Sequence, residues 1–202
     1  MRVDKVIMRA VCSTITAIII LFVAMVFILS FLSPWTMMHI TYDLGLNGAS
    51  IRNARRAYNM SGEVYYVAFA TDVAIGKGDD EKVIDCGKLF IADENFLLYC
   101  DEKTAKSAVE NGSYKHYVYA QVSLAQYRTE DKEGAIATAF SSLNGGFEKN
   151  NAVVAVLITA LSKQDGDTVD KITEQMLALQ SQIPQEHSEY FNEMLALAQD
   201  NE

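Results

Sequence analysis

Apolar positions along the chain fall into two regimes. The first is one unbroken run: from Ala10 to Ser33 the sequence AVCSTITAIIILFVAMVFILSFLS carries no charge over 24 residues. As a helix rising 1.5 Å per residue this run measures about 36 Å, more than the roughly 30 Å hydrocarbon layer of a bilayer requires. It reads as a transmembrane helix over 10–33, with a slight tilt absorbing the excess. The second regime starts at Gly48, beyond which apolar residues recur at three and four positions more often than at two, as amphipathic helices require. The pattern predicts an all-α soluble domain over 48–202, with helices near 48–59, 62–76, 80–93, 113–128, 131–144, 150–163, 167–181 and 185–199. The stretch 95–112 is less regular and admits a short helix at 102–110.

Local chemistry places several of these boundaries. Pro34 disfavours continuation of the first helix past Ser33, and Trp35 and Tyr42 suit the headgroup level. Residues 34–47 read as a juxtamembrane connector whose Met37, Met38 and Ile40 are available to dock on the domain or the bilayer. Ser61 is placed to cap the helix containing Tyr65, Tyr66 and Phe69, with Glu63 in its first turn. Pro184 stands where a first-turn proline is tolerated. The breaks GKGDD, NGS, LNGG and DGD supply turn residues between helices. Because these breaks are short, successive helices should pack as antiparallel neighbours.

A helix, a short polar break and a second helix occur three times, over 64–95, 116–147 and 152–183. Small residues fall where paired helices must approach: Ala70 and Thr71 in the first unit, Ser123, Ala135 and Ala139 in the second, Thr159 and Ala178 in the third. Gly78-Asp79 and Gly166-Asp167 supply the turns. On these residues the domain resembles a tetratricopeptide repeat array, and another helical array or bundle is the alternative. It departs from that pattern at Val83 and Lys171, where a small residue is usual, and at Gly87 and Gln175, where an aromatic is usual. Residues 96–113 intervene between the first two units, and Ile183-Pro184 puts the proline one place late. Such arrays stack units over a continuous core and close with an atypical helix. Helix 185–199, apolar at Tyr190, Phe191, Met194, Leu195 and Ala198, fits the closing role.

Charge then fixes direction. The formal charge is −9, although Arg2, Lys5 and Arg9 crowd the first nine positions. So acidic a chain repels nucleic acid and anionic lipid headgroups, which excludes DNA or RNA as a partner. Lys and Arg beside a span stay on the cytoplasmic side, and the far flank has none until Arg52. Residues 1–9 should therefore be cytoplasmic and the domain outside the membrane or in a lumen. A cleaved signal peptide would end in small residues, whereas here Ile28 and Phe31 stand two places before Ser30 and Ser33. The run is read as an uncleaved anchor.

Candidate chemistry is sparse. His39, His116 and His187 lie far apart, and no metal-ligand spacing, phosphate-binding glycine loop or nucleophile elbow occurs. The acidic clusters lack the ligand pattern of a calcium loop and read as helix caps. No catalytic residue, metal or cofactor is predicted. Cys86 and Cys100 read as separate thiols, with a bridge between them the alternative in an oxidising compartment. Asn59-Met60-Ser61 and Asn111-Gly112-Ser113 are sequons that matter only in a eukaryotic secretory pathway. The binding signal lies in Tyr114, Tyr117, Tyr119 and Tyr127, with His116 and Arg128. The tetratricopeptide resemblance implies that Tyr117, Leu124, Tyr127 and Arg128 face a peptide-holding groove. The expected function is a membrane-anchored protein–protein interaction module, an adaptor or envelope-complex subunit. A self-assembling homo-oligomer is the alternative, and an envelope hydrolase a third reading.

Overall fold

A computed structural model describes residues 2–106, 113–143, 147 and 151–199, and every regular element among them is helical. The chain divides into two compact units, residues 1–66 and 67–202.

The first unit opens with α1 (Arg2–Leu32), whose stretch Ile7–Leu29 is 23 residues, long and apolar enough to cross a membrane, and unburied throughout its most apolar window. Helix α1 stops at Ser33, whose φ of −140° and ψ of 66° leave the helical region, and α2 (Pro34–Asp43) restarts with proline at its first position. Proline lacks the N–H that a first turn leaves unsatisfied, so it costs nothing there. The expected connector is thus itself a helix, with Met37 and Met38 buried and Ile40 exposed. Gly45, at φ +72°, turns the chain into α3 (Asn47–Ser61). Helices α2 and α3 pack against each other. The Ser50 hydroxyl donates to the Met38 carbonyl at 2.7 Å, and Ala54 and Ala57 are fully buried. Ser61 does not cap the following helix. Gly62, at φ +71°, ends α3 in the left-handed conformation, so Ser61 belongs to α3: its hydroxyl donates to the Ala57 carbonyl at 2.9 Å and accepts the Glu63 N–H at 3.1 Å, one residue ahead of α4. Asn59 is exposed in that last turn, while Asn111 and Gly112 of the other sequon lie outside the described residues.

The division between units falls in the first turn of α4 (Val64–Lys77). There follow α5 (Asp80–Ile91), α6 (Phe96–Lys106), α7 (Tyr114–Arg128), α8 (Lys132–Ser141), α9 (Ala152–Ser162), α10 (Gly166–Leu179), a 3₁₀ turn at Gln180–Gln182, and α11 (Gln185–Gln199). Helix α6 starts earlier than the expected 102–110, because Phe96 is drawn into the core against Phe90, ring centroids 4.8 Å apart. Positions 107–112 lie outside the described residues, as do 144 and 150 at the ends of two expected helices.

Three turns in this unit share one backbone geometry. Gly78, Glu130 and Gln164 have φ of +64°, +67° and +55°, and each is followed by an aspartate. The aspartate N–H reaches back to the carbonyl five residues earlier: Asp79 to Ala74 at 3.2 Å, Asp131 to Gln126 at 2.9 Å, Asp165 to Ala160 at 3.0 Å. Each preceding residue bonds three back, to Ile75, Tyr127 and Leu161. This is the Schellman closure, and the aspartate then stands at the start of the next helix. Asp79 and Asp131 side chains accept from Lys82 N–H and Gly134 N–H. The third turn is therefore Gln164-Asp165, two residues before the expected Gly166-Asp167.

Helix α7 is the centre of this unit, in contact with α5, α6, α8 and α9. Val118, Val122 and Ala125 are fully buried on it, and so are the polar Ser123 and Gln126. Gly87 of α5 lets the two backbones meet: a Cβ there would lie 2.2 Å from Val122 Cγ2. Helix α9 is apolar nearly all round and contributes Val153, Val156, Leu157 and Ala160. Of the small residues read as crossing positions, Ala70, Thr71, Ser123, Ala135 and Ala139 are buried, but Ala178 is exposed. Helix α11 seals the end with Phe191, Leu195 and Ala198, Phe191 standing edge-on to Phe147 at 4.9 Å.

Candidate partner-binding face on the central helix

Because its neighbours surround α7, only one stripe of it reaches solvent. Tyr117, Leu124 and Arg128, spaced seven and four residues apart, lie along that stripe. Tyr117 is 44% exposed, Leu124 is half-buried and Arg128 is exposed. Tyr127 sits one step round the helix, only 2% exposed, with its ring turned into the unit. Three of the four sequence-predicted groove residues thus share a surface, and the fourth works from beneath it.

The stripe is held at both ends. At its start the Tyr117 ring lies nearly parallel to Tyr114, centroids 6.0 Å apart. The Tyr114 hydroxyl donates to Asp72 of α4 at 2.6 Å. Lys103 of α6 pairs with the same carboxylate at 2.5 Å and stands 4.0 Å above the Tyr114 ring. Burial, and then the Asp72 charge, push the Tyr114 phenol far up, so it remains a donor. At the other end Arg128 grips Asp80 of α5 through Nε, at 3.1 and 2.9 Å, and through a terminal nitrogen at 2.6 Å. Asp72 was detectable in the sequence as a lone charge within the apolar VYYVAFATDVAIG, whereas nothing local marks Asp80 or Asp165 as partners.

Under the C-terminal end of α7, Asp165 collects three donors on one oxygen: Tyr127 at 2.8 Å, Thr168 at 2.8 Å and Lys132 at 2.9 Å. Burial alone would raise its pKa, but these hydrogen bonds outweigh it and hold the carboxyl at about 2. Burial, with Asp165 as its acceptor, pushes the Tyr127 phenol up to about 12. Tyr127, Glu130, Lys132, Lys163 and Asp165 line an open hollow of about 320 Å³. Two ammonium groups, two carboxylates and one ring make it a polar seam without a nucleophile.

The depressed carboxyl carries a pH prediction. A group whose folded pKa lies below its unfolded value of about 3.9 stabilises the fold above that value and loses the contribution as pH falls through about 2. Solvent reaches part of the site, so the contribution is about 1 kcal/mol, less than the full shift. In urea titrations Asp165→Asn should unfold earlier than the natural chain near neutral pH, and the gap should close toward pH of about 2. A gap independent of pH would show that the charge contributes nothing.

Among the described residues no three His, Cys, Asp or Glu side chains come together as metal ligands. His116 is buried in α7, His187 stands 3.5 Å from Glu186 and His39 lies beside Tyr65. Cys86 and Cys100 are separate buried thiols, and burial pushes Cys100 up to about 12, away from the thiolate that nucleophilic chemistry uses. No protein-family model matches the chain, no curated protein matches it, and no solved structure does.

Proposed function

We propose that α1 anchors the chain in a membrane, with residues 1–9 cytoplasmic, and that the second unit is a protein-interaction module working on the far side. The three helix–turn–helix stretches α4/α5, α7/α8 and α9/α10 are read as a tetratricopeptide-like array of antiparallel hairpins. The repeated turn favours this: Asp131 and Asp165 stand 34 residues apart, the tetratricopeptide period. The helix α6 occupies the interval that lengthens the first spacing.

The observation that carries the interaction reading is the exposed stripe Tyr117–Leu124–Arg128 on an otherwise enclosed helix. A phenol, an aliphatic side chain and a guanidinium in line are the residue types that anchor a bound peptide or helix. The part-buried pairs Tyr114–Asp72 and Tyr127–Asp165 brace the backbone beneath, so little is lost in ordering the face on binding.

The test is affinity purification of the C-terminally tagged full chain, gently solubilised, compared with Tyr117→Ala/Leu124→Ala/Arg128→Ala. A partner whose recovery falls by about tenfold or more, as loss of more than one anchor implies, supports the adaptor. Partners unaffected by the triple change put binding elsewhere, and stable multiples of the chain alone favour self-assembly.

A further inference from the structure

The first unit runs against the charge of the chain. Between Pro34 and Gly62 there are three arginines, Arg52, Arg55 and Arg56, against one acid, Asp43, in a protein of net charge −9. All three arginines lie on α3, Arg55 and Arg56 following Arg52 by three and four residues, and all are exposed. On a helix those offsets set Arg55 and Arg56 on either side of Arg52, each about 5–6 Å from it, across one broad face. The opposite face, Ser50, Ile51, Asn53, Ala54 and Ala57, is buried.

The position of this face relative to α1 is fixed by one contact. The Arg56 guanidinium lies 5.0 Å from the centre of the Phe31 ring. Phe31 is two residues past Leu29, where the membrane-competent stretch ends, a rise of about 3 Å. The headgroup layer beyond the hydrocarbon is roughly 5–7 Å deep on each side. With α1 in a bilayer whose hydrocarbon ends at Leu29, rather than at Ser33 where the uncharged run stops, Arg56 stands at the level of the lipid phosphates, and Arg52 and Arg55 stand beside it. Helix α2 adds Trp35, 41% exposed, and Tyr42, 48% exposed, seven residues apart on one face. Such rings prefer the headgroup level.

We propose that the α2–α3 hairpin is a headgroup-binding collar: Arg52, Arg55 and Arg56 hold the phosphates of anionic phospholipids in the leaflet where α1 emerges, with Trp35 and Tyr42 seated among the headgroups. The guanidinium fork suits phosphate oxygens better than an ammonium does. The proposal rests on the membrane anchoring of α1. Its consequence is that the acidic second unit is tethered through a cationic layer drawn to an anionic surface.

Trp35 is the chain's only tryptophan, and it reports on the lipids around the collar. The full chain is reconstituted in phosphatidylcholine vesicles containing phosphatidylglycerol. Energy transfer from Trp35 to an acyl-chain dansyl label is compared for the two lipids at equal label density, and vesicle flotation is scored in parallel. The natural chain should prefer phosphatidylglycerol about fivefold, the worth of one arginine at a charged surface, and lose the preference in high salt. Arg52→Gln/Arg55→Gln/Arg56→Gln, whose side chains are exposed, should keep its helical circular dichroism but transfer equally to both lipids. The matching triple change to lysine should retain part of the preference. A floating chain that transfers equally to both lipids overturns the collar and leaves the anchor standing, as does a preference that survives the glutamine changes. A chain that does not float overturns the anchor and the collar together.

Discussion

Phe90→Ala is expected to destabilise the second unit by about 3–5 kcal/mol, the range for truncating a fully enclosed phenylalanine. Phe90 has no exposed surface, and its ring contacts three others: Phe96 edge-on at 4.8 Å, Tyr99 at 5.6 Å and Tyr114 at 6.3 Å. Removing it leaves a hole where α5, α6 and the start of α7 meet. It also loosens Tyr114, the ring that carries Tyr117 and bonds to Asp72. Urea unfolding of the full chain in detergent micelles, followed by tyrosine near-ultraviolet dichroism, measures the loss. Phe90→Leu, which keeps most of the volume, should recover more than half of it. If Phe90→Ala cost less than about 1 kcal/mol, the aromatic cluster would not be the packed joint described here.

The second large effect depends on one hydrogen atom. Gly87→Ala places a methyl group 2.2 Å from Val122 Cγ2, and overpacking of this kind costs about 1–3 kcal/mol. Alanine also returns about 1 kcal/mol of helix propensity, so a net loss of up to about 2 kcal/mol is expected. The branched Val122 is stiff about χ1 and cannot simply swing aside. In a Val122→Ala background the clash disappears and the new methyl fills the vacated space. The same Gly87→Ala change should then stabilise the chain by as much as about 1 kcal/mol. This reversal of sign is what a double-mutant cycle reads. Destabilisation of equal size in both backgrounds would mean that the two helices do not meet at Gly87.

The helices of the second unit were legible from their turns and caps, and in α5, α10 and α11 also from a one-sided apolar pattern. Asp79, Ser113, Asp131 and Asn151 each accept an N–H from the first turn of the helix they open. Helix α2 was hidden for a physical reason. Its inward positions, Pro34, Met37, Met38 and Thr41, have helical spacing, but proline and threonine mask it, and the outward Trp35, Ile40 and Tyr42 are apolar. The third turn was misplaced because Gly166 is the obvious turn former, while the left-handed residue is Gln164. The repeated aspartate, present at Asp79, Asp131 and Asp165, was the better marker.

The candidate face was legible only in part. Tyr117, Leu124 and Arg128 follow from helical spacing once α7 is known. Tyr127 does not, since it turns inward toward Asp165, 38 positions along the chain. Such long-range polar pairs leave no periodic trace. Helix α7 has no amphipathic contrast at all: Ser123, Gln126 and His116 are buried beside Val118 and Val122, so polar and apolar residues alike point inward.

That lack of a polar side bears on the order in which the protein is made. A helix enclosed by earlier and later segments has no stable resting place during synthesis until α9 follows it, because α9 supplies the wall of Val153, Val156 and Leu157. Chains fold from the N-terminus as domains are completed, and here completion waits for the last third of the sequence. Until then Val118, Tyr119, Val122 and Tyr127, which the finished fold buries, lack their full cover. At only 11 residues, α9 is too short to lodge in the bilayer on the way.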